Sequence, residues 1–312
     1  MTRHLIPFLA TALLAWVPAQ GADSGAEQET PQQSYFFKNP MLVGVVETED
    51  LRRDPFAEWF DSGYEEYVIQ TSTLAQLYEV LDDPALSIEI FFGTWCSDSQ
   101  RELPRMMRVL DEARFAASRL TLYALSDNPG VFKMTPDGHE QELLVHRTAT
   151  FVVLRNGVEL GRLVERPFAS LEEDLLGILT DSPAPLPYGA ESAIHALYRA
   201  DDHALVQAPT SEFLERLESL GDTETLWHYA QYDLLFNGHS ADAADVLHLF
   251  LTLYPESAPG YQLLAEAEAE LGNASAALFA VRRALALAPD SEPAQQLEKT
   301  ILAATSTGSS GK

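Results

Sequence analysis

The sequence contains a single cysteine, Cys96, in 312 residues. One cysteine excludes a disulfide within the chain, even in an oxidising compartment where disulfides persist. Stability must therefore come from packing, and the length is sufficient for two domains with ordinary hydrophobic cores. A lone thiol also has no neighbour that could expel a mixed disulfide.

Basic residues are scarce as well. The chain has 20 Lys and Arg against 47 Asp and Glu, which gives a formal net charge of −27. Nucleic acids and anionic membranes require clustered Lys and Arg to neutralise their phosphates, so neither is expected as a partner. The acidic composition favours solubility; a specific basic partner is the alternative.

Long apolar runs are missing after the N-terminus, and no later segment is apolar enough to span a bilayer. Arg3 and His4 precede an apolar stretch, residues 5–17, and small residues at Ala19 and Gly21 follow. This pattern predicts a signal peptide over 1–21 and an exported, periplasmic protein; a retained anchor or a buried strand is the alternative. Residues 22–34 are predicted to form a flexible leader.

Aromatic residues are concentrated in residues 35–66, which are predicted to form an N-terminal extension. Clustered aromatic side chains are more often core than surface, so this extension is expected to pack on the domain that follows. A lid that binds a peptide or ligand is the alternative.

Residues 67–180 alternate between strand and helix patterns. The expected order is β-α-β-α-β-β-α, an α/β domain in which Asn156-Gly157 makes a two-residue hairpin turn. The predicted elements are a strand over 67–70, a helix capped by Thr71 or Ser72, strands at 88–92 and 120–125, a helix over 97–116, strands at 150–154 and 158–164, and a helix from the Ser170 cap to Leu179.

Three prolines in residues 181–188 predict a linker, because proline stops both helix and sheet. Residues 189–305 are helical in pattern, and two segments align at a spacing of 34 residues. Large, small and proline positions recur in the manner of tetratricopeptide repeats, with an unrelated helical bundle as the alternative. The aligned pairs are Trp227 with Tyr261, Ala230 with Leu264, Gly238 with Gly272, Ala243 with Ala277, and Pro255 with Pro289.

The same helical region has less regular ends. Residues 189–222 are predicted to form a degenerate helical pair, and 292–304 a capping helix. Residues 306–312 are predicted to be a disordered tail. The sequence as a whole therefore predicts an α/β domain followed by an all-α repeat domain.

The run from Trp95 to Pro104, Trp-Cys-Ser-Asp-Ser-Gln-Arg-Glu-Leu-Pro, resembles thioredoxin-like proteins of a bacterial subgroup with Trp-Cys-x-Asp-Ser-Gln-Arg-Glu. Arg155-Asn156-Gly157 resembles the hairpin of the same family. The resemblance implies a thioredoxin fold with Cys96 as nucleophile. The active-site neighbours that it implies are Trp95, Ser97, Asp98, Ser99, Arg101, Thr148, Ala149 and Thr150.

The position of Cys96 favours a reactive sulfur. A cysteine at a helix N-terminus faces free N–H groups and the positive end of the helix dipole, which stabilise a thiolate. Arg101 and Arg105 are expected to add positive potential, and Asp98 to oppose it.

Three positions depart from the family pattern. Ser99 replaces the resolving cysteine, and Ile90 replaces a buried carboxylate, with Glu89 expected on the other sheet face. Ala149 replaces a cis-proline. Because a cis bond before alanine is costly, the Thr148–Ala149 peptide is predicted to be trans.

Two functions remain open. In the first, Cys96 carries out monothiol exchange or captures protein clients that the helical repeats bind. In the second, the protein is a non-redox scaffold or chaperone-like binder. No cofactor and no metal site are predicted, because His139 and His146 have no carboxylate at ligand spacing.

Overall fold

The computed structural model describes residues 40–308. The predicted signal peptide (1–21), the leader (22–34), the start of the extension (35–39) and the end of the tail (309–312) lie outside the described residues. Within residues 40–308, no helix is long and apolar enough to cross a membrane. Two compact units are present: residues 40–202 with 219–222, and residues 203–218 with those from 223 onward.

The first unit is built on a five-stranded mixed sheet with the strand order β1-β3-β2-β4-β5. The central strands β2 and β3 are parallel, and the other three pairings are antiparallel. This arrangement places the end of β2 in the middle of the sheet. The strands are β1 Gly44–Val46, β2 Leu86–Phe92, β3 Leu120–Ala124, β4 Thr150–Arg155 and β5 Val158–Val164.

The central strand β2 is largely apolar, and both of its faces are covered. Ile88, Ile90 and Phe92 are buried in the main core, whereas Phe91 packs in a second core on the opposite face. Side chains alternate between the faces of a strand, so β2 contributes to both cores. Ile90 is fully buried, and Glu89 points to the face of Phe91, as its position in the strand predicts.

Helices cover the sheet. The longest in this unit, α4, buries Leu103, Met106 and Leu110 at helical spacing against the main core. The helices of this unit are α1 Thr48–Leu51, α2 Ala57–Glu66, α3 Thr71–Val80, α4 Ser97–Glu112, α5 His139–Glu142, α6 Leu171–Leu179 and α7 Gly189–Arg199, with a 3-10 turn at Ala117–Arg119.

Helix α2, within the aromatic-rich segment, packs on α4. Phe60 is fully buried in the main core, and a Cβ on Gly63 would lie 2.7 Å from Pro104 Cγ. Glycine at 63 therefore lets the two helices approach closely.

The strand predicted at residues 67–70 is wrong. The first strand is instead Gly44–Val46, and residues 67–70 have no regular structure. The reason is a side chain far along the chain: Glu172 accepts hydrogen bonds from the Tyr67 hydroxyl at 2.8 Å and from Gln70 N at 3.0 Å. A carboxylate therefore takes the place of a strand partner.

Of the predicted turn and helix caps, the hairpin turn and one cap are confirmed and the other cap is wrong. Asn156 and Gly157 have φ of 52° and 76° between β4 and β5, which confirms the hairpin. Ser170 caps α6 by accepting from Glu173 N at 3.1 Å, as predicted. Helix α3, however, begins after Gln70, so the predicted Thr71 or Ser72 cap is wrong.

All the regular elements in the described residues of the second unit are helices or helical turns. Gly238 and Gly272 both end helical segments with positive φ, and Ala243 and Ala277 are both fully buried. The segment around Trp227 is irregular, since a short α-helix continues as a π turn (Ala230–Leu234) and a 3-10 turn (Leu235–Asn237). The helices are α8 Ala204–Gln207, α9 Ser211–Leu220, α10 Leu226–Tyr229, α11 Ser240–Leu253, α12 Ala258–Glu270, α13 Ala274–Leu287 and α14 Glu292–Gly308, with a 3-10 turn at Thr223–Thr225.

The compact units divide after Asp202, whereas the sequence places the linker at residues 181–188. Helix α7 belongs to the sheet unit because Glu191 in its first turn forms a buried ion pair with Arg147, at 2.6 Å. The sequence alone predicts this helix as part of the repeat domain, because a long-range ion pair leaves no local signal.

Candidate functional site

Cys96 lies between β2 and α4, at the N-cap position of the helix. Its N–H donates to Gly93 O at 3.0 Å, and its carbonyl accepts from Gln100 N at 2.9 Å. The side chain is half-buried. The thiol therefore sits at the positive end of the α4 dipole, at the end of the central strand.

The sulfur contacts a second segment of the chain. Cys96 Sγ lies 3.3 Å from Thr148 O, in the residues that lead into β4. The Thr148–Ala149 peptide is cis, so the trans prediction is wrong. Hydrogen bonds hold both sides of this peptide: Thr150 Oγ1 donates to Arg147 O, and Glu165 N donates to Ala149 O, each at 2.7 Å. Tertiary contacts here override the local preference.

Ser99, three residues after Cys96, is fully buried. Its hydroxyl accepts from Gly93 N at 3.1 Å and lies 3.2 Å from Thr148 Oγ1. The hydroxyl thus joins the turn before Cys96 to the segment that contacts the sulfur. An alcohol oxygen cannot expel a mixed disulfide as a thiolate does.

The side chain of Trp95, the residue before the thiol, is held by two contacts. Its indole Nε1 donates to Leu125 O at 2.9 Å, and its ring lies 4.9 Å from that of Phe132. A Cβ on Gly93 would lie 2.6 Å from the indole, so only glycine fits there. One hydrogen bond and one ring contact therefore hold the half-buried tryptophan.

The arginines on the first turns of α4 are neutralised. Arg101 pairs with Asp98 at 2.6 Å and with Glu102 at 2.5 Å, and Arg105 pairs with Glu102 at 3.3 Å. Asp98 also pairs with Arg166, at 3.3 Å. The positive potential expected at Cys96 from Arg101 and Arg105 is therefore offset by adjacent carboxylates.

The predicted neighbours take different roles around the sulfur. Ser99 and Thr148 lie in the hydrogen-bonded group at Cys96, and Ala149 is fully buried beside them. Ser97 is exposed at the first helical position. Thr150 is buried, and its hydroxyl bonds back toward Arg147 rather than toward the sulfur.

Sequence reasoning missed a buried charged group next to Thr148. Arg147 forms two hydrogen bonds with Glu191 and one with Glu165, and its guanidinium lies 4.1 Å from the ring centroid of Tyr188. The only local signal for Glu191 is an acidic residue in a first helical turn, which is common on ordinary helices.

A buried histidine, His146, and a partly buried one, His195, adjoin this group. The rings of His146 and His195 lie 5.1 Å apart, and His146 Nε2 is 3.8 Å from Glu191 Oε2. Burial holds the pKa of His146 well below its ordinary value, and burial with nearby Arg199 lowers the pKa of His195 to about 4. Both imidazoles are therefore neutral at neutral pH.

His139 lies on the sheet face of Phe91, where Glu89 and Glu142 hold it at 2.8 and 3.3 Å. Burial opposes the charged form, but hydrogen bonds with these carboxylates raise the pKa of His139. Among residues 40–308, no group of three or more His, Cys, Asp or Glu side chains could hold a metal ion.

No protein-family model matches this sequence, and no curated protein matches it significantly.

Proposed function

We propose that this chain is an exported thioredoxin-like protein in which Cys96 exchanges disulfides as a single thiol. The observation that carries the proposal is the position of Cys96: a half-buried thiol at the N-cap of α4, with Sγ 3.3 Å from Thr148 O. The strand order, the β4–β5 hairpin and the closing helix α6 support the same fold. Export to the periplasm rests on residues 1–21 of the sequence.

The chemistry of the proposed exchange needs one sulfur. The Cys96 thiolate attacks one sulfur of a client disulfide, forms a Cys96–client disulfide and releases the other client sulfur as a thiolate. Because Ser99 supplies no second thiol, an external thiolate must attack the mixed disulfide. Attack at the client sulfur expels the Cys96 thiolate and leaves the client disulfide-bonded to the external thiol, whereas attack at the Cys96 sulfur expels the client thiolate and leaves the external thiol on Cys96.

The helical unit is proposed to be tetratricopeptide-like and to bind protein or peptide clients. The paired positions at Gly238 and Gly272, and at Ala243 and Ala277, support this assignment. A cavity of 250 Å³ within the unit presents Trp227, Gln231, Gln262 and apolar side chains. Aromatic and amide groups together suit an extended peptide.

A non-redox scaffold is the second candidate, and the charge arrangement favours it. Arg101 and Arg105 are paired with Asp98 and Glu102, so they leave little positive potential for a thiolate. The Ser99 hydroxyl forms hydrogen bonds with Gly93 N and Thr148 Oγ1, which gives it a structural role. In this candidate the sheet unit supplies a binding surface and Cys96 is inert.

Trapping of mixed disulfides distinguishes the two candidates. The exported wild-type protein is expected to give higher-mass adducts on non-reducing gels that dithiothreitol removes and that Cys96→Ser abolishes. Identical gel patterns for wild type and Cys96→Ser would favour the scaffold. In an insulin-reduction assay with dithiothreitol, the rate is expected to stay far below that of a dithiol thioredoxin, since Ser99 cannot resolve the intermediate.

A further inference from the structure

The residue before Thr148 is held by a buried ion pair. Arg147 Nε donates to Glu191 Oε2 at 2.9 Å, and Nη2 donates to Oε1 at 2.6 Å. Glu191 is 0% exposed and Arg147 is 7% exposed. A bidentate guanidinium–carboxylate pair fixes direction as well as distance, so helix α7 sets where the backbone at residue 147 lies.

A second set of contacts holds the same segment from its other side. Glu165 accepts from Arg147 Nη1 at 3.2 Å and from the Tyr188 hydroxyl, while its own N–H donates to Ala149 O at 2.7 Å. The Tyr188 ring lies under the Arg147 guanidinium. Residues 147 and 149 are therefore both anchored, and Thr148, whose carbonyl contacts Cys96 Sγ, lies between them.

We propose that Arg147 and Glu191 are positioning residues for Cys96: their ion pair holds the Thr148 carbonyl against the sulfur and so limits attack by the thiol. Neither side chain touches a reacting atom; each acts through the backbone of residues 147–149. The inference deepens the proposed thiol exchange and rests on it for the role of the sulfur. It also makes α7, which precedes the repeats, part of the thiol site.

The test measures the rate at which iodoacetamide alkylates Cys96 in the folded full-length chain across neutral pH, and compares this rate between the wild type and the variants. Glu191→Gln removes one charge and keeps the shape, so the segment around Thr148 loosens. The rate at pH 7 is expected to rise about 2- to 10-fold, the range that one intramolecular hydrogen bond controls. The matched control is Asp83→Asn, which breaks an ion pair with Arg155 at the far end of β4 (3.1 Å) and should leave the rate unchanged.

The double variant Arg147→Gln with Glu191→Gln separates geometry from charge, because it leaves no buried charge of the pair uncompensated. Its rate should stay raised. A return to the wild-type rate would assign the effect to charge alone and overturn the positioning role, as would a wild-type rate in folded Glu191→Gln.

If Glu191→Gln does not fold, Tyr188→Phe tests the same point more mildly, since it removes only the hydroxyl bond to Glu165. A raised rate supports the proposal, and a wild-type rate in this folded variant contradicts it. Alkylation needs no client, so the comparison holds even if the wild type forms no mixed disulfides and the proposed function fails.

Discussion

At the scale of single residues, Ser99 has the clearest structural role. Its hydroxyl is the hydrogen-bond partner of Gly93 N and lies beside Thr148 Oγ1, and the side chain has no exposure. Serine at this position therefore joins two segments of the chain through one buried hydroxyl. The sequence alone does not reveal these buried hydrogen bonds.

Replacing Ser99 by alanine should destabilise the fold. The Gly93 N–H would lose its acceptor in a buried place, which costs about 1–3 kcal/mol in the free energy of unfolding. Urea unfolding measures this change. The matched control is Ser97→Ala, two residues away and exposed, which should change stability by less than about 0.5 kcal/mol. Equal effects of the two substitutions would mean that the Ser99 hydroxyl bonds contribute nothing.

At the scale of secondary-structure elements, the sequence predicts best where the signals are local. The apolar run before Cys96, the Asn156-Gly157 turn and the Ser170 cap are all confirmed. β1 is missed because it has only three residues and Val45 is largely exposed. Its position depends on pairing with β3, far along the chain.

Long-range contacts account for the other differences. Residues 67–70 have strand-forming side chains, yet Val68 is 86% exposed and Glu172 takes the backbone hydrogen bond. The cis peptide before Ala149 likewise depends on neighbours such as Glu165. The sequence predicts the thiol and its helix, whereas the group that surrounds Thr148 comes from segments that only folding brings together.

His195, on helix α7, makes the free energy of unfolding depend on pH. Burial, with Arg199, Lys133 and Arg162 nearby, lowers the pKa of His195 to about 4, and His146 packs against its ring. In the unfolded chain the His195 imidazole binds a proton below pH about 6.5, whereas in the folded chain this imidazole stays neutral until the pH nears 4. Stability from His195 is therefore complete above pH 6.5 and falls as the pH drops toward 4.

Replacing His195 by glutamine should flatten this dependence. Between pH 7 and pH 4.5, the variant should lose about 2 kcal/mol less of its unfolding free energy than the wild type. Urea titrations at the two pH values measure the difference. His248→Gln is the control, since the His248 side chain is 60% exposed. A wild-type acid response in His195→Gln would contradict the assignment.

At the scale of the whole molecule, helix α7 belongs with the sheet although it follows the proline-rich segment. Residues 219–222, which are the end of α9 and the two residues after it, complete that unit: Ala190 N donates to Gly221 O at 3.2 Å, and Tyr188 N donates to Asp222 at 2.6 Å. The compact unit is therefore not continuous in sequence. A boundary drawn at the prolines cuts through buried contacts.

Two fragments test that arrangement. A fragment of residues 40–222 should unfold cooperatively, whereas one of residues 40–187 should be less stable by about 3–5 kcal/mol, because Arg147 would be left buried without Glu191. Thermal and urea unfolding of the two fragments give the comparison. Equal stability would place the boundary at residues 181–188, as the sequence alone suggests.

The serine at position 99 also has a consequence in time. A protein with two active-site thiols releases its client when its own second thiol attacks the mixed disulfide, at a rate that the protein itself sets. Here the buried Ser99 hydroxyl supplies no such step, so the lifetime of a Cys96–client bond is set by how often an outside thiol arrives. The duration of each capture would therefore lengthen as the surroundings become more oxidising.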